Sequence, residues 1–95
     1  MYIFSYGSLT TKFPNKNKAP VKFEAYLEIN YDNMFPMISR SNIKNIISGF
    51  LIEINPSDLE IMDAYEGYPD IYNRVIIDVN GIDAWIYVSP DIVSL

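Results

Sequence analysis

The chain reads as an α+β domain: a mixed, mostly antiparallel sheet, able to close into a small β-barrel, with one main flanking helix. Three observations predict it. Val21, Phe23, Ala25, Leu27 and Ile29 alternate strictly with Lys22, Glu24, Tyr26 and Glu28, the period of a half-buried strand. Asn80-Gly81 joins two β-branched runs, 72–79 and 82–88, and that dipeptide between such runs is among the strongest short-range hairpin signals. Only one stretch, from Asn55 to Gly67, carries both a start and a stop signal for a helix.

Taken in order, Tyr2 to Tyr6 are aromatic and β-branched and stop at Gly7, as a short strand opening into a turn does. Thr10 to Pro20, rich in Lys, Asn and Pro, reads as a surface loop. The strand 21–29 follows, then a turn at Asp32-Asn33. Met34 to Ile38 is at most a short edge strand, because Pro36 cannot donate to a ladder. Ile46 to Ile54 is a further strand with Gly49 as a bulge or bend. Ser57 and Glu60 have capping-box spacing and open a helix that runs to Glu66 and stops at Gly67, with Pro69 preventing its resumption. The hairpin completes the chain. The tally is five or six strands to one helix.

With 95 residues, 49% of them hydrophobic and 15% aromatic, the chain forms one folded domain over residues 1–95. A net charge of -5 disfavours nucleic acid and anionic membrane surfaces as partners, and Lys12, Lys16 and Lys18 read as a solvated loop. Cysteine and histidine are both absent, which removes disulfides, thiol and imidazole catalysis and the usual zinc sites. No cofactor or metal is expected. The first residues carry no basic region ahead of an apolar stretch, and no run reaches the ~20 apolar residues of a membrane span, so the expected location is the cytoplasm. Exposed Tyr and Ile on edge strands make a homodimer a candidate state.

Two places can carry chemistry. Around the helix the order Ile61, Tyr65, Met62, Glu66, Leu59 sets Glu66 within the apolar arc. A carboxylate placed there finds a partner, raises its pKa or opens onto a cavity, and each outcome is compatible with a general acid/base. The same spacing fits a last-turn glutamate that reaches solvent or pairs with Arg74. The second place is Tyr6-Gly7-Ser8-Leu9. A glycine at a strand end lets backbone approach a ligand, and successive N–H groups there can hold a carboxylate or an oxyanion, although such a segment is also a common plain turn. Arg74 and Trp85 read as structural, the first paired with an acidic neighbour and the second in the core.

Tyr6-Gly7-Ser8-Leu9 after the first strand, the run Ser48 to Ile54, Met62-Asp63-Ala64-Tyr65-Glu66-Gly67, Tyr72-Asn73-Arg74 and Ala84 to Val88 together resemble the gamma-glutamylcyclotransferase-like (AIG2-like) family. The resemblance spans nearly the whole chain, and its most specific element is Asp-x-x-Glu-Gly followed by Tyr-x-Arg. It implies a small mixed β-barrel with its pocket between the first-strand loop and the helix end. It also implies an enzyme that releases a γ-glutamyl group as 5-oxoproline, with Glu66 as catalytic acid/base and Tyr6, Gly7, Ser8, Leu9 and Tyr72 binding a small γ-glutamyl molecule. Leu9 stands where some enzymes of the family carry Asn, so the resemblance leaves the substrate unnamed. A non-catalytic module using the same pocket for a small anionic metabolite, or its surface for a protein partner, is the alternative.

Overall fold

The computed structural model describes residues 1–14, 16–31 and 35–95. The elements follow in the order β1 (Tyr2–Ser5), α1 (Leu9–Lys12), β2 (Lys18–Asn30), β3 (Met37–Glu53), α2 (Pro56–Glu66), β4 (Asn73–Val79) and β5 (Ile82–Val88). The strands form one mixed sheet in the order β2-β3-β1-β5-β4. β1 and β5 run parallel, and the other neighbouring pairs are antiparallel. No helix of the described residues is long and apolar enough to cross a membrane.

The sheet curls because its alternating apolar residues share one interior. Phe23 and Leu27 of the edge strand β2 pack in the same cluster as Val75, Ile77 and Val79 of the opposite edge strand β4, around Phe4, Ile47 and Ile86. Two hydrogen bonds lace the curl. The Asn80 side-chain amide donates to the Lys22 carbonyl at 2.8 Å, and the Ser89 N–H donates to the Ile38 carbonyl at 2.9 Å. Among the described residues β2 and β4 share no ladder. The barrel expected from the sequence is thus a curled, open sheet whose interior is filled by side chains. On the outer face α2 sets Leu59 and Met62 against Ile3, Ile52, Ile54 and Tyr87.

The structure departs from the sequence reading mainly in the middle of the chain. The segments expected at 34–38 and 46–54 belong largely to one 17-residue strand, β3, with Pro36 just ahead of it where no ladder bond is needed. Its stretch 39–45 is polar and carries no period-2 signal, and pairing with β2 is what holds it extended. The irregularity in that pairing lies between Ala25 and Leu27, where the register jumps from Asn45 to Arg40, and not at Gly49. The expected turn at Asp32-Asn33, with Met34, lies outside the described residues. In place of a plain loop at 10–20 there is a single helical turn, α1, and β2 begins at Lys18 instead of Val21.

Gly49 stays in register opposite Val21 for a different reason. A Cβ there would stand 2.3 Å from the Ser5 carbonyl oxygen and 2.6 Å from the Phe4 ring. Backbone cannot yield as a side-chain tip can. Gly49→Ala is therefore expected to destabilise the fold by about 1 to 3 kcal/mol, the usual range for overpacking. An unchanged urea midpoint for that variant would refute the close approach of β1 and β3.

The cap of α2 also differs from expectation. Asn55, not Ser57, is the N-cap: its side-chain oxygen accepts from the Asp58 N–H at 2.9 Å, and the Asp58 carboxylate accepts from the Asn55 N–H at 2.9 Å. The three-residue spacing is the same, moved two residues earlier. Pro56 at the first helical position favours this start, because its missing N–H would have had no intrahelical partner. Lys16 pairs with the same Asp58 oxygen, Oδ2, at 2.7 Å. At the other end Gly67 takes a left-handed conformation, φ 73°, and the Tyr68 N–H returns to the Asp63 carbonyl at 2.9 Å. A side chain at Gly67 would also collide with Ile71, 2.7 Å from its Cδ1. The helix stops immediately after Glu66.

Candidate active site

Three segment ends meet on one side of the sheet. β1 finishes at Ser5 and turns through Tyr6, Gly7 and Ser8 into α1, α2 finishes at Glu66, and Phe35-Pro36 lead into β3. Between them lies a cavity of about 300 Å³. Its wall contains all six residues the sequence singled out: Tyr6, Gly7, Ser8, Leu9, Glu66 and Tyr72. Phe4, Ser5, Phe35, Pro36, Tyr65, Ile71 and Tyr87 complete it.

Glu66 is half-buried in this mostly aromatic and aliphatic wall. Burial away from water disfavours its charged form and pushes its pKa up from 4.5 to about 7. Its position at the carbonyl end of α2 acts in the same direction. No hydrogen bond or ion pair among the described residues compensates. The arginine that could have done so is engaged elsewhere. Arg74 makes a two-pronged contact with Asp63, Nε to Oδ1 at 2.8 Å and an Nη to Oδ2 at 3.0 Å, which holds the guanidinium pKa above its ordinary value. Its guanidinium also lies between the rings of Tyr68 and Trp85, 4.5 and 4.3 Å from their centroids. The acidic neighbour expected for Arg74 is thus Asp63. Trp85 is half-buried and stacked on that arginine, not enclosed in the core.

The tyrosines of the wall use their hydroxyls to brace it. Tyr6 donates to the Tyr87 carbonyl at 2.7 Å, Tyr72 to the Pro36 carbonyl at 2.5 Å, and Tyr87 to Asp63 Oδ1 at 2.8 Å. Burial raises the pKa of all three, with Glu66 adding to the shift at Tyr72 and the Asp63 carboxylate adding at Tyr87. They remain protonated donors. At the mouth the hydroxyls of Ser8 and Tyr65 lie 2.9 Å apart and tie the loop to α2, with the Lys12 ammonium 5.2 Å from the Tyr65 ring centre.

The loop supplies donors of another kind. Backbone hydrogen bonds of the α1 turn start at Thr10, whose N–H donates to Gly7, followed by Thr11 and Lys12 donating to Ser8. The N–H groups of Gly7, Ser8 and Leu9 have no backbone acceptor among the described residues. A cavity with one carboxyl titrating near neutrality and unclaimed backbone donors in its wall can position a small zwitterion and move a proton on it.

Several wall residues were not picked out from the sequence. The sequence sets Phe35 and Pro36 in an edge strand and Tyr65 in the apolar arc of the helix, with nothing local to mark them as cavity wall. Of that arc Leu59 and Met62 are buried, whereas Ile61 is 57% and Tyr65 43% exposed. For Tyr87 a signal existed. In β5, Ala84, Ile86 and Val88 point to the interior of the curl, so Trp85 and Tyr87 fall on the face shared with α2.

A family profile described as gamma-glutamyl cyclotransferase, AIG2-like, matches residues 3–94. The chain belongs to this family. Its fold is that of solved members and neighbours. An uncharacterized protein from Pyrococcus horikoshii superposes with a TM-score of 0.76 at 13% identity, covering 97% of this chain and 80% of the other. An AIG2-like protein from Mus musculus gives 0.64 at 18% identity, over 93% of this chain and 76% of that one. A structure named gamma-glutamyl cyclotransferase gives 0.61 at 17% identity, over 94% and 66%. None of the curated proteins compared matches the sequence significantly. At these identities the structural likenesses speak for the fold, and the family match extends that to a cyclotransferase-type activity at the level of the family.

Proposed function

We propose that this chain releases 5-oxoproline from a small γ-glutamyl amine or peptide, with Glu66 as the general acid/base. The observation that carries this reading is the unpaired Glu66 carboxyl, titrating at about 7 in the wall of the cavity that the 6–9 loop also lines. An α-ammonium with a pKa of about 8 to 9 is a poor nucleophile at neutral pH. Glu66 takes a proton from it, the freed amine attacks the side-chain γ-carbonyl carbon, and a new C–N bond closes the five-membered ring. The C–N bond to the leaving amine then breaks as Glu66 returns that proton to the departing nitrogen, and the ring nitrogen passes its second proton by way of Glu66 to the same amine, which leaves as its ammonium. Atoms and charge balance without any outside reagent. The N–H groups of Gly7, Ser8 and Leu9 hold the substrate carboxylate or the oxyanion that develops on the γ-carbonyl, and the rings of Tyr6 and Tyr72 bound the space for the glutamyl chain.

The test is 5-oxoproline formation, followed by chromatography, from a panel of γ-glutamyl compounds sharing one glutamyl group and differing in the attached amine. Release from at least one of them is the expected result. Ligands that raise the melting temperature of the wild-type chain without any turnover would instead identify a binding module built on the same cavity.

A further inference from the structure

Charge is distributed unevenly around the cavity, and this bears on what leaves it. We infer that the amine released from the γ-glutamyl group carries no charge besides the reacting nitrogen and is apolar, a branched alkyl or phenylalkyl amine, received by Phe35, Pro36 and Ile71. The inference rests on the cyclotransferase reading of the same site.

The glutamyl half of any substrate brings one carboxylate and one ammonium. The backbone donors of the 6–9 loop and the Glu66 carboxyl answer these one for one. Among the described residues the wall offers nothing more: Glu66 is its one acidic side chain, and it contains no lysine or arginine. An amino acid as the leaving group would bring a second carboxylate, which would lose water without gaining a cation and would face Glu66. Lys12 is the nearest candidate to relieve it, but its exposed side chain lies over the Tyr65 ring at the mouth and outside the wall. A charge on the rim, in water, contributes little. A second ammonium would compete with the substrate's own for Glu66.

The walls fit an apolar group instead. Phe35 is 60% exposed, Ile71 56% and Tyr65 43%, three large side chains left in water around one mouth. Single exposed hydrophobic residues are ordinary, whereas several lining one concavity mark a surface that gains by being covered. Two of them are held in place. Tyr72 anchors the Pro36 carbonyl next to Phe35, and Ile71 is packed on Gly67 with its N–H bonded to the Gly67 carbonyl at 2.8 Å. The cavity volume of about 300 Å³ is at the small end for ligand sites, which suits a glutamyl group with a compact amine.

The experiment compares γ-glutamyl-phenethylamide, γ-glutamyl-alanine and Nε-γ-glutamyl-lysine. On the wild-type chain kcat/KM for the phenethylamide is expected to exceed that for each charged compound by about tenfold or more, the scale on which apolar pockets discriminate. In Phe35→Ser combined with Ile71→Ser that ratio is expected to fall towards one. Equal or reversed preference, with turnover present, overturns the inference and leaves the cyclotransferase reading intact. Calorimetry with Glu66→Gln separates the opposite case. Tighter binding of the phenethylamide to that variant, with no turnover by wild type, supports the apolar mouth and removes the cyclotransferase reading. If neither compound class binds or reacts, both fall.

Discussion

On the proposed reaction, Glu66→Gln is expected to lower the rate of 5-oxoproline release by about 10²- to 10⁴-fold, the usual worth of a positioned acid/base, and at the same time to stabilise the fold above neutral pH. The two effects have one cause. The carboxyl titrates at about 7 when folded and near 4.5 when unfolded. Between these values the folded chain holds a proton that the unfolded chain has released, so stability falls as the pH rises from about 4.5 to about 7. Above 7 the wild-type chain carries the whole cost of a half-buried charge, and below 4.5 it carries none. With the solvent access of the cavity discounted, that cost is about 1 to 3 kcal/mol. A glutamine keeps the shape and has no charge to desolvate. Thermal melts should therefore place the variant above wild type at pH 8 and level with it at pH 4. The kcat/KM of wild type should rise with pH through about 7 as the base forms, and that limb should vanish in the variant. A rate left within a few-fold of wild type would remove Glu66 from the mechanism, and a melting difference independent of pH would show that its carboxylate is fully hydrated.

Local signals carried most of the fold. The 72–79 and 82–88 hairpin came out within one residue, because Asn80-Gly81 and two alternating β-branched runs leave few other arrangements. The end of α2 was equally legible, since the left-handed turn at Gly67 suits little else than glycine. The segment 39–45 was not. Its extended form depends on a partner more than ten residues away, and a polar stretch such as Ser39-Arg40-Ser41-Asn42 has no pattern of its own to announce that. The site divides along the same line. Glu66 and the 6–9 loop stand at element ends, where sequence punctuation is strong. Phe35, Ile71 and Tyr87 reach the cavity only through the curl of the sheet and the packing of α2, which no local pattern encodes.

Asp63→Ala is expected to be the most destabilising change near the site, by about 3 to 5 kcal/mol in urea unfolding. Asp63 and Arg74 are only 19% and 16% exposed at the side chain, and each of the two carboxylate oxygens accepts a guanidinium proton. Arg74 cannot discharge itself, because a guanidinium stays protonated at any working pH even without its partner. Removing the carboxylate leaves that charge between the Tyr68 and Trp85 rings without a counterion, and it takes the acceptor from the Tyr87 hydroxyl. The main-chain bond from Tyr68 to the Asp63 carbonyl survives in alanine, so the loss belongs to the side chain and not to the helix cap. If stranded charge is the cause, Asp63→Leu combined with Arg74→Met should be more stable than Asp63→Leu alone, since a paired removal strands nothing. If the double variant is instead the worse of the two, Arg74 contributes by stacking on its aromatic neighbours and the ion pair is secondary. The same variants reach the chemistry indirectly. Asp63 stands one turn before Glu66 on α2 and holds Tyr87, whose carbonyl fixes the Tyr6 hydroxyl on the far wall. Loosening it should lower kcat while the activity limb near pH 7 persists, because the Glu66 carboxyl itself remains in place.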